Sequence, residues 1–184
     1  MNKFYKKYVK DISSYIKKID LKKISKLEDL IIETSQRGKK VIICGNGGSA
    51  ATASHTAIDL TKNAKVKSIN FNEYDLITCF SNDFGYQNWI KKSLEYYADE
   101  GDLLIIISCS GNSKNLVNAQ KKAISMGIKT VILTGINKNN KLNSSRDNNL
   151  KIWINSKSYN FVEIIHHFIL LMVVDKIIFN NKRI

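Results

Sequence analysis

Two short stretches place hydroxyl and amide groups where a strand would turn into a helix. Gly45-Asn46-Gly47-Gly48-Ser49-Ala50 follows the apolar run Val41-Ile42-Ile43-Cys44, and Ser108-Cys109-Ser110-Gly111-Asn112-Ser113 follows Leu103-Leu104-Ile105-Ile106-Ile107. A β-branched run of this kind suits a strand buried on both faces, and the glycines after it make a tight turn. With Ser49 as a helix cap, the unpaired N–H groups of the helix start point back at the turn, a geometry for binding an anion. The three histidines fall into two further groups. His55 precedes Asp59 by four residues, which sets both on one helix face, and Glu163, His166 and His167 occupy i, i+3 and i+4 of an apolar segment. Such carboxylate and imidazole pairs can form a mixed oxygen and nitrogen site for a divalent metal such as zinc, or an acid/base pair. Each ring can also be a partly buried group with a backbone partner.

The spacing of apolar residues supplies the elements that must position these groups. Helical periodicity covers residues 4–18 and 24–36, ended by Gly38, and strand-like runs cover 41–44, 66–71, 102–107, 130–134 and 151–154. Helices are expected from Ser49 to Leu60 and over residues 88–98, 114–126 and 155–178, with residues 75–80 buried and 81–86 a loop. Strands alternating with helices predict a five-stranded parallel sheet flanked by helices, with ligands beyond the carboxyl ends of the strands. No Pro- or Gly-rich linker divides the 184 residues, so one domain is expected, with residues 1–38 as N-terminal helices and 39–184 as the α/β core.

Composition narrows the partners. The net charge of +13 comes from lysines scattered along the chain without a nucleic-acid-binding motif, which argues against nucleic acid and is compatible with a phosphorylated metabolite. Cys44, Cys79 and Cys109 lack metal-type spacing and read as reduced thiols of a cytoplasmic protein. There is no signal-peptide pattern and no apolar stretch of about 18 residues, so no membrane association is expected. Gly45-x-Gly47-x-x-Ala50 fits a dinucleotide fingerprint, but the acidic residue that should follow by about 20 positions has only the late Glu73 as a candidate. No nucleotide cofactor is expected.

Taken together, Gly45-Asn46-Gly47-Gly48-Ser49, His55 with Asp59, Asn82-Asp83-Phe84-Gly85 and Ser108-Cys109-Ser110-Gly111-Asn112-Ser113 resemble the phosphoheptose isomerase family of sugar isomerase (SIS) domains. The resemblance implies a flavodoxin-like three-layer sandwich and interconversion of sedoheptulose 7-phosphate and D-glycero-D-manno-heptose 7-phosphate for surface polysaccharide. It implies sugar-phosphate contacts from Asn46, Gly47, Gly48, Asn82 and Asp83 and a phosphate loop of Ser108, Ser110 and Ser113; Ser49, Cys109 and Glu163 complete the candidate substrate-binding set. It also implies a homotetramer and zinc binding, for which His55, Asp59 and Glu163 are the candidate ligands, with His167 as a further candidate.

Four positions depart from the family pattern. Asp59 stands for a catalytic Glu, Glu163 for a Gln, Cys109 for a Thr, and Leu171 for the catalytic His eight residues beyond that Gln. Leucine transfers no proton. On a helix, i+4 lies between i and i+8 in angle, so His167 faces the same sector about 6 Å lower along the axis, whereas His166 at i+3 turns the other way. The expectation is an isomerase with Asp59 as base and His167 as partner acid or metal ligand. The competing expectation is a phosphosugar-binding or protein-interaction module without turnover.

Overall fold

In the computed structural model, which describes residues 2–181, five strands form one parallel sheet. They are β1 (Val41–Cys44), β2 (Ser68–Ile69), β3 (Leu103–Ser108), β4 (Lys129–Thr134) and β5 (Leu150–Trp153), in the order β2-β1-β3-β4-β5. From β1 the chain winds outward to β2, then crosses back to β3 on the other side. The carboxyl ends of β1 and β3 therefore flank the switch point at which open α/β sheets receive ligands. Register places Cys44 opposite Ile106, so the two loops that follow start side by side.

The helices are α1 (Lys3–Ile16), α2 (Leu21–Gln36), α3 (Gly48–Lys62), α4 (Tyr74–Phe84), α5 (Trp89–Tyr97), α6 (Lys114–Ser125), the short α7 (Lys141–Ser144) and α8 (Tyr159–Asn181). Val41, Ile43, Leu103, Ile105 and Ile107 point to the layer containing α2, α3 and α8. Ile42, Cys44, Leu104 and Ile106 point to the layer of α5 and α6. Because both sheet faces are covered, neither register of the alternation can be polar, which is why these strands read as unbroken apolar runs. Each fully buried Leu or Ile contributes about 1.5–3 kcal/mol of burial energy, so these strands anchor the fold.

α3 and α8 lie side by side in the same direction. The pairings Gly48 with Glu163, His55 with His167, and the Ala64 carbonyl with the Asn181 amide advance together along both helices. Asp20 caps α2, which buries Ile24, Leu27, Leu30 and Ile31 in the core. α1 buries none of its residues, although Tyr8 and Tyr15 touch Phe161 of α8.

Two local expectations are corrected. Residues 66–71 yield only the two-residue edge strand β2, paired in the sheet with β1 alone. Residues 75–80 are not buried and 81–84 are not loop: all belong to α4, whose Leu76, Ile77 and Phe80 lie half-exposed against α5. Gly85, at φ +79°, ends this helix in a conformation L residues rarely adopt.

Candidate functional site

The β1 loop meets the first turn of α6, which follows the β3 loop, through a reciprocal amide pair. Asn46 Nδ2 donates to Asn115 Oδ1 (3.1 Å) and Asn115 Nδ2 donates to Asn46 Oδ1 (2.8 Å), while Tyr86 Oη also reaches Asn46 Oδ1 (3.3 Å). Gly45 is required here, since a Cβ would lie 2.7 Å from Ser49. Gly47, and not Ser49 as expected, caps α3 at φ +54°, and Ser49 is the second residue of the helix. In the β3 loop, Ser108 Oγ accepts from the Gly111 N–H (3.1 Å) and Ser110 Oγ from the Asn112 N–H (3.3 Å), so both hydroxyls brace the turn.

Between the loops lies a cleft of about 110 Å³ lined by Asn46, Ser49, Ser108, Cys109, Ser110, Ser113, Tyr159 and Glu163, above Ile107 and Leu116. It opens at the starts of α3 and α6, where helix N–H groups favour an anion. Glu163, half-buried on α8, presses on Gly48: a Cβ there would stand 2.6 Å from Oε2. Burial and the Glu163 charge push the Cys109 thiol up to about 11, and burial pushes Cys44 to about 12, so neither is a thiolate nucleophile at neutral pH.

One turn further along α8, His167 Nε2 lies 3.0 Å from His55 Nδ1, and His55 Nε2 lies 3.2 Å from Asp59 Oδ2. Asn63 Nδ2 donates to the other Asp59 oxygen (3.0 Å). Burial and repulsion from His55 hold His167 below the usual imidazole range, with Asp59 opposing. His166 turns into the core: Nε2 meets the Thr134 carbonyl at 3.1 Å, Nδ1 has no partner, and burial lowers its pKa to about 4. Leu171 is half-buried on the same helix.

The fold thus gathers Asn46, Ser49, Ser108, Cys109, Ser110, Ser113 and Glu163 in one cleft, with exposed Gly47 and Gly48 at its α3 edge, and joins His55, Asp59 and His167 beside it. Asn82 and Asp83 are not in the cleft. They are exposed in the last turn of α4, bonded to each other at 3.0 Å. Asn115 and Tyr159 went unread in the sequence. The one signal for Asn115 is an amide on the inward face of an amphipathic helix, beside Leu116 and Ala119; Tyr159 offers none.

The expected zinc ligands are not assembled as a set. Both His55 nitrogens are engaged, by Asp59 and by His167, and Glu163 has neither hydrogen bond nor ion pair to that trio. Among the described residues, no three His, Cys, Asp or Glu side chains are grouped to hold a metal ion.

A loop-lined cleft at the switch point of a parallel 2-1-3-4-5 sheet places the chain among doubly wound α/β proteins. Residues 4–135 match the family described as SIS domain, and the chain belongs to it. Within that class the chain is a member of the phosphoheptose isomerase family. The phosphoheptose isomerase of Aliarcobacter butzleri is 39% identical over 135 residues, covering 70% of this chain and 71% of the relative. That of Hamiltonella defensa is 33% identical over 165 residues, covering 83% and 78%. The fold agrees: the structure of phosphoheptose isomerase from Neisseria gonorrhoeae superposes with a TM-score of 0.85 at 23% identity, over 95% of this chain and 99% of that one.

Proposed function

We propose that the chain is an aldose–ketose isomerase interconverting sedoheptulose 7-phosphate and D-glycero-D-manno-heptose 7-phosphate, for surface polysaccharide synthesis in the cytoplasm. The observation that carries this reading is the offset between cleft and imidazoles. In a heptose 7-phosphate the reacting C1 and C2 lie at the far end of the chain from the phosphate. Here Glu163, which lines the cleft together with the serine loop, and His167 are one helical turn, about 6 Å, apart along α8.

Isomerisation removes a proton from the carbon beside the carbonyl, passes through an enediol, and returns a proton to the neighbouring carbon while the oxygens exchange theirs. An ionised Asp59 accepts from His55 Nε2–H, which leaves His55 Nδ1 as an acceptor for His167 Nε2–H. The remaining nitrogen, His167 Nδ1, is then free to take the proton. Asp59 has both oxygens occupied and acts as a positioning residue, so the base role expected of it passes to His167. Serine hydroxyls and helix N–H groups hold the phosphate dianion without a fixed countercharge.

The chain works as a homotetramer in this reading. Supporting it are the unburied α1, with Phe4, Tyr5 and Val9 exposed, and the exposed Ile58, Ile164 and Phe168 close in sequence to the two histidines. Binding without turnover is not favoured, since the relatives named above are isomerases. The test is to incubate the protein with sedoheptulose 7-phosphate and follow aldose formation by NMR; absence of turnover with retained binding would transfer the assignment to a binding module.

A further inference from the structure

The cleft contains a charge of the wrong sign for phosphate. Glu163 lines it together with Ser108, Ser110 and Ser113, and no Lys, Arg or His does so among the described residues. Its carboxylate is seated against the Gly48 backbone at the start of α3, and it has no hydrogen-bond or ion-pair partner among the described residues. An ionised carboxylate only accepts hydrogen bonds, and so does a phosphate dianion. Placed in one small cleft, the two repel. A sugar hydroxyl, by contrast, donates, and a carboxylate acceptor makes that bond stronger than a neutral amide would.

We infer that Glu163 is a specificity-determining residue that makes the cleft choose a polyhydroxylated phosphate ester over free phosphate: the serine loop holds the phosphoryl group and the carboxylate accepts from hydroxyls of the attached sugar. The inference rests on the phosphosugar reading above. Its physical content is that selectivity arises from an intrinsic penalty on the anion, which only a ligand carrying hydroxyl donors offsets. Gly48 is part of the same device, because any side chain there would displace the carboxylate from its seat.

The experiment is calorimetric titration of the full chain and of Glu163→Gln with inorganic phosphate and with sedoheptulose 7-phosphate, the fold of the variant being checked by circular dichroism. The substitution keeps shape and removes charge. Removing the charge is expected to relieve the like-charge penalty for both ligands, so that inorganic phosphate binds the variant about tenfold tighter, while the sugar phosphate also loses its charge-assisted hydroxyl bonds, so the ratio of the phosphate Kd to the sugar-phosphate Kd falls by about tenfold. If the wild type prefers the sugar phosphate and the variant keeps the same ratio within twofold, the inference is overturned and the phosphosugar reading stands. If the wild type binds neither ligand, both are overturned.

Discussion

His55 Nδ1 and His167 Nε2 stand 3.0 Å apart with ring planes 80° to one another, although 112 residues separate them in the chain. The parallel course of α3 and α8 brings them together, and Asp59 extends the line by a second contact. His167→Ala is expected to lower kcat for sedoheptulose 7-phosphate by about 10²–10⁴-fold, the range for loss of a positioned acid/base group, with unfolding midpoints little changed. His166→Ala should do the opposite, costing about 2–4 kcal/mol in urea unfolding through a buried cavity and a lost bond to Thr134 while leaving activity of the folded fraction near normal. An unaltered rate in His167→Ala would remove the imidazole pair from the mechanism.

The buried His166 also sets a pH dependence. Its pKa is about 4 in the fold against 6.5 in the open chain, so the unfolded state binds the extra proton between these values. Its contribution is fully present above pH 6.5 and is lost as pH falls through 4, by up to about 3 kcal/mol. Urea unfolding at pH 7, 5 and 4 should show the decline, and His166→Phe should flatten it.

Gly48→Ala offers a sign test. At an unencumbered helix position, Ala is favoured over Gly by about 1 kcal/mol. Here the new Cβ meets the Glu163 carboxylate, so thermal stability should not rise. Adding Glu163→Ala should release the gain, and a double-mutant cycle in which the two changes simply add would contradict the contact.

Phe4, Tyr5 and Val9 leave α1 with an apolar face that the described residues do not cover. Sedimentation at micromolar concentration is expected to give a species four times the 20.9 kDa chain, and Val9→Glu a smaller one. A wild-type monomer would sink the tetramer.

Much of the fold was legible because burial on both sheet faces writes itself into the chain as unbroken Val, Leu and Ile runs such as Val41 to Cys44. Leu76, Ile77 and Phe80 misled for the same reason: their apolarity suggests a core, whereas they line only one side of an exposed helix. The glycine and serine loops were readable because anion binding by a turn is local chemistry. Asn115 was not, since its partner Asn46 lies 69 residues away and no local pattern announces such a pair. His166 and His167 are neighbours in sequence, yet about 100° of helical rotation sends one into the core and the other toward His55.

The amide pair between Asn46 and Asn115 has a further consequence. Within the pair each residue gives one hydrogen bond and takes one, and neither carries a charge. The spacing between the β1 loop and the start of α6 is therefore set by an uncharged clasp that salt does not screen and that does not titrate, whereas the attraction or repulsion of an anion by charged groups is screened by salt. Width and charge of the cleft are governed separately: salt and pH tune how strongly an anion is held, and the jaws that receive it keep their gauge.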